Sequence, residues 1–426
     1  MVKVLSVIGT RPEAIKMAPI IRELESRSKE FDSRVCVTGQ HREMLDPMLN
    51  LFGIRPHHDL DIMQPGQSLT DATTAVMTGM EGVLREERPD WVLVQGDTTT
   101  VMATSLAAYW QRIAVGHVEA GLRTFDKYSP FPEEINRRMA GVIADLHFCP
   151  TEWAAANLTR EGVPADHIRV TGNTVIDSLH RVADMPFSRA GTPLEGIPFD
   201  EGKRLVLVTA HRQENFGEGM EGICQGLRTL AERHGDVHLI YPVHLNPKAR
   251  TSAYEYLADL DNVSLLPPLG YQQIVWLLKH ADFVMTDSGG LQEEAAGMDK
   301  PVLVLRDTTE RPEGVQTGIA KLVGTRRDEI VVTAGRLLED RLEHQAMASA
   351  HCPYGDGTAA QQIVDTLASR RAVRAVEDAI YEQPTPMHPL DAVLHRSEGV
   401  GHAPRPERPP THHSRRFRRR RDRIVV

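Results

Sequence analysis

Residues 91–116, W-V-L-V-Q-G-D-T-T-T-V-M-A-T-S-L-A-A-Y-W-Q-R-I-A-V-G, run from an apolar segment through a helix-sized stretch to a second apolar segment. Trp91–Gln95 and Ile113–Gly116 read as buried strands and Thr99–Trp110 as the helix between them, an order that belongs to a parallel sheet covered by helices. The pattern repeats on both sides. Val4–Ile8, Val35–Thr38, Leu146–Cys149 and Ile168–Thr171 are further strands, with helices at Glu13–Arg27, Met44–Leu51, Thr70–Arg88, Glu133–Ala144, Glu152–Glu161 and Val175–Val182. Residues 183–203 carry Pro and Gly without periodicity and mark a domain boundary. Beyond them the alternation restarts. Strands are expected at Leu205–Thr209, His238–Tyr241, Val263–Leu266, Phe283–Thr286 and Val302–Leu305, and helices at Met220–Arg233, Pro247–Leu257, Tyr271–Lys279, Leu291–Ala296, Asp328–Asp340 and Thr358–Ser369. The fold class is therefore α/β, with two doubly wound, Rossmann-like domains, 1–183 and 204–369, facing a cleft, and a low-complexity tail at 370–426. Open α/β sheets bind ligands at the carboxyl ends of their strands, so the chemistry should lie between the domains.

Composition agrees with two domains, because 426 residues exceed the roughly 250–300 that one core organises. Four cysteines without a CxxC pair suggest neither a zinc site nor a disulfide framework, and suit a reducing cytoplasm. The first apolar run, Val4–Ile8, is too short for a signal peptide or a membrane span. Net charge is −9, yet the residues from Thr411 onward carry +6 and leave −15 for the rest, which excludes a nucleic-acid role for the folded body. The Arg-rich tail reads as a solvated segment without catalytic content.

Polar residues cluster at the strand ends. Gly116–Glu134, G-H-V-E-A-G-L-R-T-F-D-K-Y-S-P-F-P-E-E, leaves a strand through Gly121 into a Pro-rich loop and enters a helix at Glu133, so Glu119 and Glu133 can approach one pocket from two directions. Read alone, both also suit solvated carboxylates, Glu133 as a helix N-terminal acid. Asp97 in Q-G-D-T-T-T ends another strand on the same sheet edge, where it also suits a helix cap. Carboxylates meeting in a desolvated cleft split their pKa values, which is what moving a proton off carbon and back requires. Gly9-Thr10-Arg11-Pro12 opens the first helix, whose free N–H groups, with Arg11 and Lys16, can hold an anion. His211 and Arg212 occupy the equivalent place in the second half. There Ser288-Gly289-Gly290 between strand and helix permits close approach of a diphosphate, Glu294 can accept from ribose hydroxyls, and Arg311 faces the cleft.

Taken in order, G-T-R-P-E-A-I-K-M-A-P, Q-G-D-T, G-H-V-E-A-G-L-R-T, S-P-F-P-E-E-I-N-R, H-R-Q-E-N-F-G, Y-P-V-H-L-N-P, T-D-S-G-G-L-Q-E-E, T-E-R-P-E and P-Y-G-D-G closely resemble the non-hydrolysing bacterial UDP-N-acetylglucosamine 2-epimerases from about residue 3 to about residue 369. The resemblance implies a fold of the glycosyltransferase B type, a UDP-sugar substrate, no cofactor and no metal, a homodimer and a place in polysaccharide biosynthesis. It implies epimerisation at C2 by anti elimination of UDP and re-addition through 2-acetamidoglucal. Catalytic positions carry over to Asp97, Glu119, Glu133 and His211, and substrate-binding positions to Arg11, Lys16, Ser288, Gly289, Gly290, Glu294 and Arg311. Some members bind a second, regulatory UDP-GlcNAc; Gln40, Arg212 and His244 stand at such positions, while Glu43 and Gly66 replace a glutamine and an arginine used there. The motifs are shared with hydrolysing relatives and with epimerases of UDP-diacetamido sugars, and the architecture with glycosyltransferases.

Overall fold

In a computed structural model, residues 1–381 are described apart from 40, 41, 65, 200 and 201, with only the backbone given for 371–381. The first half alternates β1 Val2–Ile8, α1 Arg11–Ser26, β2 Phe31–Val37, α2 Arg42–Phe52, β3 His58–Asp59, α3 Leu69–Glu87, β4 Trp91–Gln95, α4 Thr99–Trp110, β5 Ala114–Val118, α5 Glu133–Ile143, β6 Leu146–Cys149, α6 Glu152–Arg160, β7 Ile168–Val170 and α7 Thr174–Ala183. The second half follows with β8 Arg204–Thr209, α8 Glu218–Arg233, β9 Val237–Pro242, α9 Pro247–Leu257, β10 Val263–Leu266, α10 Tyr271–His280, β11 Phe283–Thr286, α11 Gly289–Ala296, β12 Val302–Val304, α12 Pro312–Thr317, β13 Ala320–Leu322, α13 Arg327–Glu339, α14 Arg341–Ala348 and α15 Ala359–Tyr381. Both sheets are parallel, in the orders β3-β2-β1-β4-β5-β6-β7 and β10-β9-β8-β11-β12-β13.

Strand periodicity assigns the faces. Val2, Val4 and Ile8 of β1 join one apolar cluster with α1 and α2, whereas Leu5 and Val7 point the other way, into a cluster with α3 and α4. Both faces of each central strand are therefore covered, which is why these strands read as continuous apolar runs. Burying one such Val or Leu side chain contributes roughly 1.5–3 kcal/mol. Helix starts are written locally: Thr10 and Glu13 form a capping box ahead of α1, and Ser68, Thr98, Asn173 and Ser288 cap α3, α4, α7 and α11.

The core of the first half continues into the second. Val175, Ile176 and Leu179 of α7 belong to the same apolar cluster as Val275 and Leu278 of α10 and Ala295 of α11. At Gly297, just past α11, a Cβ would stand 2.6 Å from Ile176 Cδ1, so glycine permits this approach. The last helix then returns to the first half: Ala360 N–H donates to Asp177 Oδ1 at 2.9 Å, Asp365 pairs with Arg27 at 2.6 Å, and Ile363, Val364 and Leu367 are fully buried.

Two edge strands were not expected from the sequence. β3 is two polar residues and β13 is Ala-Lys-Leu, neither long nor apolar enough to signal a strand. Helices α12 and α14 were also unexpected, and α15 runs on to Tyr381, past the predicted end at Ser369. The Arg-rich stretch lies outside the described residues.

Candidate active site

Each sheet has a switch point where strand order reverses, between β1 and β4 in the first and between β8 and β11 in the second. Loops leaving neighbouring strands there diverge to opposite faces and open a crevice. The motif loops Gly9–Thr10, Gly96–Thr98, Ala210–Arg212 and Asp287–Ser288 leave these four strands.

The first crevice holds the acids. A cavity of about 170 Å3 is lined by Glu13, Lys16, Gln95, Asp97, Glu119, Arg137 and Arg311 among others. Glu119 follows β5 directly with φ +60°, in the left-handed region that a non-glycine residue occupies only when its surroundings hold it there. Its carboxylate is gripped by Lys16 Nζ at 2.6 and 2.7 Å, by Gln95 Nε2, and by Asn173 Nδ2 at 3.2 Å. Burial alone would raise its pKa, but Lys16 and Arg311 outweigh burial, and the net shift is downward. Glu119 is thus a fixed carboxylate, able to accept a proton. Asp97 is paired with Arg137 Nη2 through its side chain and with Asn136 Nδ2 through its carbonyl, at 3.1 Å. Glu13 accepts from Gly9 N–H, Thr10 N–H and Thr98 Oγ1, yet burial pushes its carboxyl up to about 7.

The second crevice is larger, about 460 Å3, and is lined by Arg11, Lys16, His211, His244, Ser288, Gly290 and Glu294 together with the apolar Val243, Leu269 and Ile274. Ser288 caps α11, leaving that helix start exposed to the cavity. A Cβ on Gly289 would stand 3.9 Å from both Arg212 and Arg311 guanidinium atoms, so an anion there meets cations from two loops. Burial pushes the Glu294 carboxyl up to about 7, with Tyr271 partly opposing it. Burial also lowers the pKa of His211, against the pull of Asp287.

Lys16 lines both cavities. Around it runs a chain of charges from the first half to the second: Lys16 to Glu119, Glu119 to Asn173, Asn173 to Glu293 at 2.8 Å, and Glu293 to Arg311. Asp97, Glu119, Lys16 and Arg311 are thus brought together on one side, and Arg11, Lys16, His211, Ser288, Gly290 and Glu294 on the other. Glu133 begins α5 half-buried, with Oε2 unpartnered, and lines neither of these cavities. Arg212 donates from Nε to Asp287 O at 3.3 Å, His244 stacks on His211 at 5.5 Å, and Gln40 lies outside the described residues. Sequence reasoning missed Glu13, Gln95, Arg137, Asn173, Asp287 and Glu293. All but Asn173 lie in quoted motifs, but an N-cap asparagine, or a glutamate beside another glutamate, has nothing local that separates a cap from a ligand-facing group.

Comparison with known proteins agrees with this geometry. The family model described as UDP-N-acetylglucosamine 2-epimerase matches residues 22–368. UDP-N-acetylglucosamine 2-epimerase of Escherichia coli K12 is 53% identical over 373 residues, covering 87% of this chain and 99% of that protein. The crystal structure of UDP-GlcNAc 2-epimerase from Neisseria meningitidis bound to UDP-GlcNAc superposes with a TM-score of 0.78 at 46% identity, covering 86% of this chain and 100% of that one. The Methanocaldococcus jannaschii enzyme in complex with UDP-GlcNAc and UDP gives 0.70 at 33% identity, over 86% and 99%. With the family model matching 22–368 and a relative 53% identical along 99% of its own length, the chain belongs to the UDP-N-acetylglucosamine 2-epimerase family.

Proposed function

We propose that the protein interconverts UDP-N-acetylglucosamine and UDP-N-acetylmannosamine at C2. The observation that carries this reading is the pairing of a small acid-lined cavity with a larger one built for a nucleoside diphosphate, joined at Lys16. The nucleotide would lie against α11, with its diphosphate at Ser288–Gly290 between Arg11 and Arg311, and its ribose toward Glu294. The sugar then projects toward Glu119 and Asp97. A carboxylate takes the C2 proton while the C1–O bond breaks toward UDP, giving 2-acetamidoglucal; UDP adds back to C1 as a proton returns to the other face of C2. Glu119, held as a carboxylate, suits the accepting role, and Asp97 and Glu133 complete the set that shares proton transfer. His211 assists departure and return of UDP. The chemistry balances without a redox step, so no nicotinamide is called for.

The two sheets act as domains 1–183 and 204–369, with residues from 370 as a tail. We also infer a homodimer: α5 leaves Ile135, Met139 and Val142 exposed on one stripe beside Tyr109 and Trp110 of α4, a face that a second copy would cover. Monomers in sedimentation velocity would refute that. The cysteines are free thiols, which supports a cytoplasmic location.

Incubating the protein with UDP-GlcNAc alone in D2O and following C2 by NMR tests the activity. Reversible formation of UDP-ManNAc carrying deuterium at C2 is expected. Irreversible release of UDP would point to a hydrolysing enzyme, and no turnover without an acceptor to a glycosyltransferase; either outcome refutes the reading.

A further inference from the structure

Asp287 follows β11 directly, and the parallel register sets Thr286 beside Thr209 of β8, so Asp287 faces the turn that carries His211. It is fully buried. Its Oδ2 accepts from the backbone N–H groups of His211 and Arg212, each at 2.8 Å, and from Asn215 Nδ2 at 3.0 Å. The turn is also held by Tyr241, whose hydroxyl donates to Ala210 O at 3.0 Å. All these donors leave Oδ1 without a hydrogen bond. A buried acceptor without a donor is costly. His211 Nδ1 stands 3.5 Å from Oδ1, just beyond a good hydrogen bond.

We propose that Asp287 is a positioning residue for the reaction: its Oδ1 accepts a hydrogen bond from His211 Nδ1–H, tightening when a diphosphate fills the cavity, and so holds Nε2 toward the departing UDP. The inference rests on the role given to His211 above. Catalytic hydrogen bonds are commonly long in unliganded sites and shorten in the complex. As the C1–O electron pair moves onto the β-phosphate oxygen and the C2 proton passes to a carboxylate, charge develops at the diphosphate. Nε2–H donates to that oxygen and keeps its proton, so the atom and electron balance of the elimination is unchanged. Burial, His244 stacked on one face and Arg212 disfavour a charged ring there, while Asp287 favours it. Donating from Nδ1 to the buried carboxylate and from Nε2 to the diphosphate requires the ring protonated on both nitrogens, and Asp287 is the group that orients and supports that charged ring.

The test uses the full-length protein with ring-15N histidine and UDP as the probe. In the wild-type complex His211 is expected to carry a proton on both ring nitrogens. Asp287→Asn keeps a carbonyl for the backbone donors but turns an amide N–H toward Nδ1. It should lower kcat by ~10²-fold or more, leave KM for UDP-GlcNAc within threefold, and move the alkaline limb of the kcat profile to lower pH. A wild-type UDP complex with either ring nitrogen of His211 unprotonated, or an Asp287→Asn enzyme with wild-type kcat and pH profile, overturns the proposal. If the variant does not fold, the protonation of the wild-type ring decides alone. His211→Asn separates the two readings: wild-type turnover would remove the role of His211 itself, whereas a slow His211→Asn beside an unimpaired Asp287→Asn removes only Asp287.

Discussion

Asn173→Asp would test whether the two halves are joined through Glu119. Asn173 donates from one amide nitrogen to Glu119 at 3.2 Å and to Glu293 at 2.8 Å, while its Oδ1 caps α7 through Val175 N–H at 3.2 Å. Aspartate caps a helix as well as asparagine does and has nearly the same volume. The substitution therefore leaves the cap and exchanges two donated bonds for a third buried carboxylate. Hydrogen bonds to charged groups contribute ~1.5–3 kcal/mol each, so their loss alone costs ~3–6 kcal/mol. Two new like-charge contacts near 3 Å add about 5 kcal/mol each at an effective dielectric of 20. Holding one extra proton at neutral pH costs about 4 kcal/mol for an ordinary carboxyl, less than either contact pair combined, so the folded variant retains that proton. The pH dependence then has a definite sign. In the wild type Glu119 has a depressed pKa, and its contribution is present above the unfolded value and lost as pH falls. In the variant the cluster binds more protons folded than unfolded, so stability falls as pH rises. Urea unfolding from pH 5 to pH 8 should show wild type and variant closest at the acid end and differing by ~7–10 kcal/mol at neutral pH, the lost bonds and the retained proton together. Parallel curves, or a loss under about 1 kcal/mol at pH 7, would show that Asn173 does not hold the two acids.

Gly289→Ala should fold normally, and can be more stable by ~0.4–1 kcal/mol, because its Cβ meets nothing closer than 3.9 Å. It should nonetheless weaken UDP binding tenfold or more by filling the place of a phosphate; calorimetry showing wild-type affinity would move the diphosphate elsewhere. Asp177→Ala removes the acceptor for Ala360 N–H and should destabilise the chain by ~0.5–2 kcal/mol, as loss of a cap does, with earlier proteolysis between Ser349 and Ala359; unchanged cleavage would refute the tie. Lys16→Met leaves Glu119 buried without its cation and should cost ~3–5 kcal/mol. Adding Glu119→Gln should recover part of that, and strictly additive effects in the double-mutant cycle would deny the pair.

The alternation of elements was legible because both faces of each sheet are covered: strands buried on two sides must be apolar throughout, and the helices over them must be amphipathic. Trp91–Gln95 and Thr99–Trp110 were placed to the residue. β5 lies one residue later at its start and two at its end than expected, since His117 and Val118 continue the sheet despite the histidine's polarity: His117 Nε2 pairs with Gly96 O at 2.7 Å. β13 and α12 were illegible for a different reason. Their short runs hold shape only because neighbouring elements supply the contacts, and a window of three to six residues carries no period of its own. The return of α15 to the first half could not be read either, because an amphipathic helix states that it must bury a face and not which sheet will cover it.

The site divides along the same line. Residues at strand ends, Asp97, Glu119, His211 and Ser288, stood out because polar groups after a buried apolar run need an explanation, and parallel order places all four at the carboxyl edges of the sheets, with Asp97, His211 and Ser288 at the switch points. Glu13 and Asn173 did not stand out because each already has a local duty as capping-box acid or helix cap, and Asp287 and Glu293 because each sits beside a residue, Ser288 or Glu294, that already explained the motif. In the folded chain each has a second partner from distant sequence: Thr98 for Glu13, Glu119 for Asn173, Asn215 for Asp287 and Arg311 for Glu293. A buried ionised group requires several such partners, since one hydrogen bond does not offset desolvation. The residues that hold the proposed catalytic acids in place therefore come from the structural vocabulary of caps and turns, and substitution there should alter proton transfer while leaving those acids themselves unchanged.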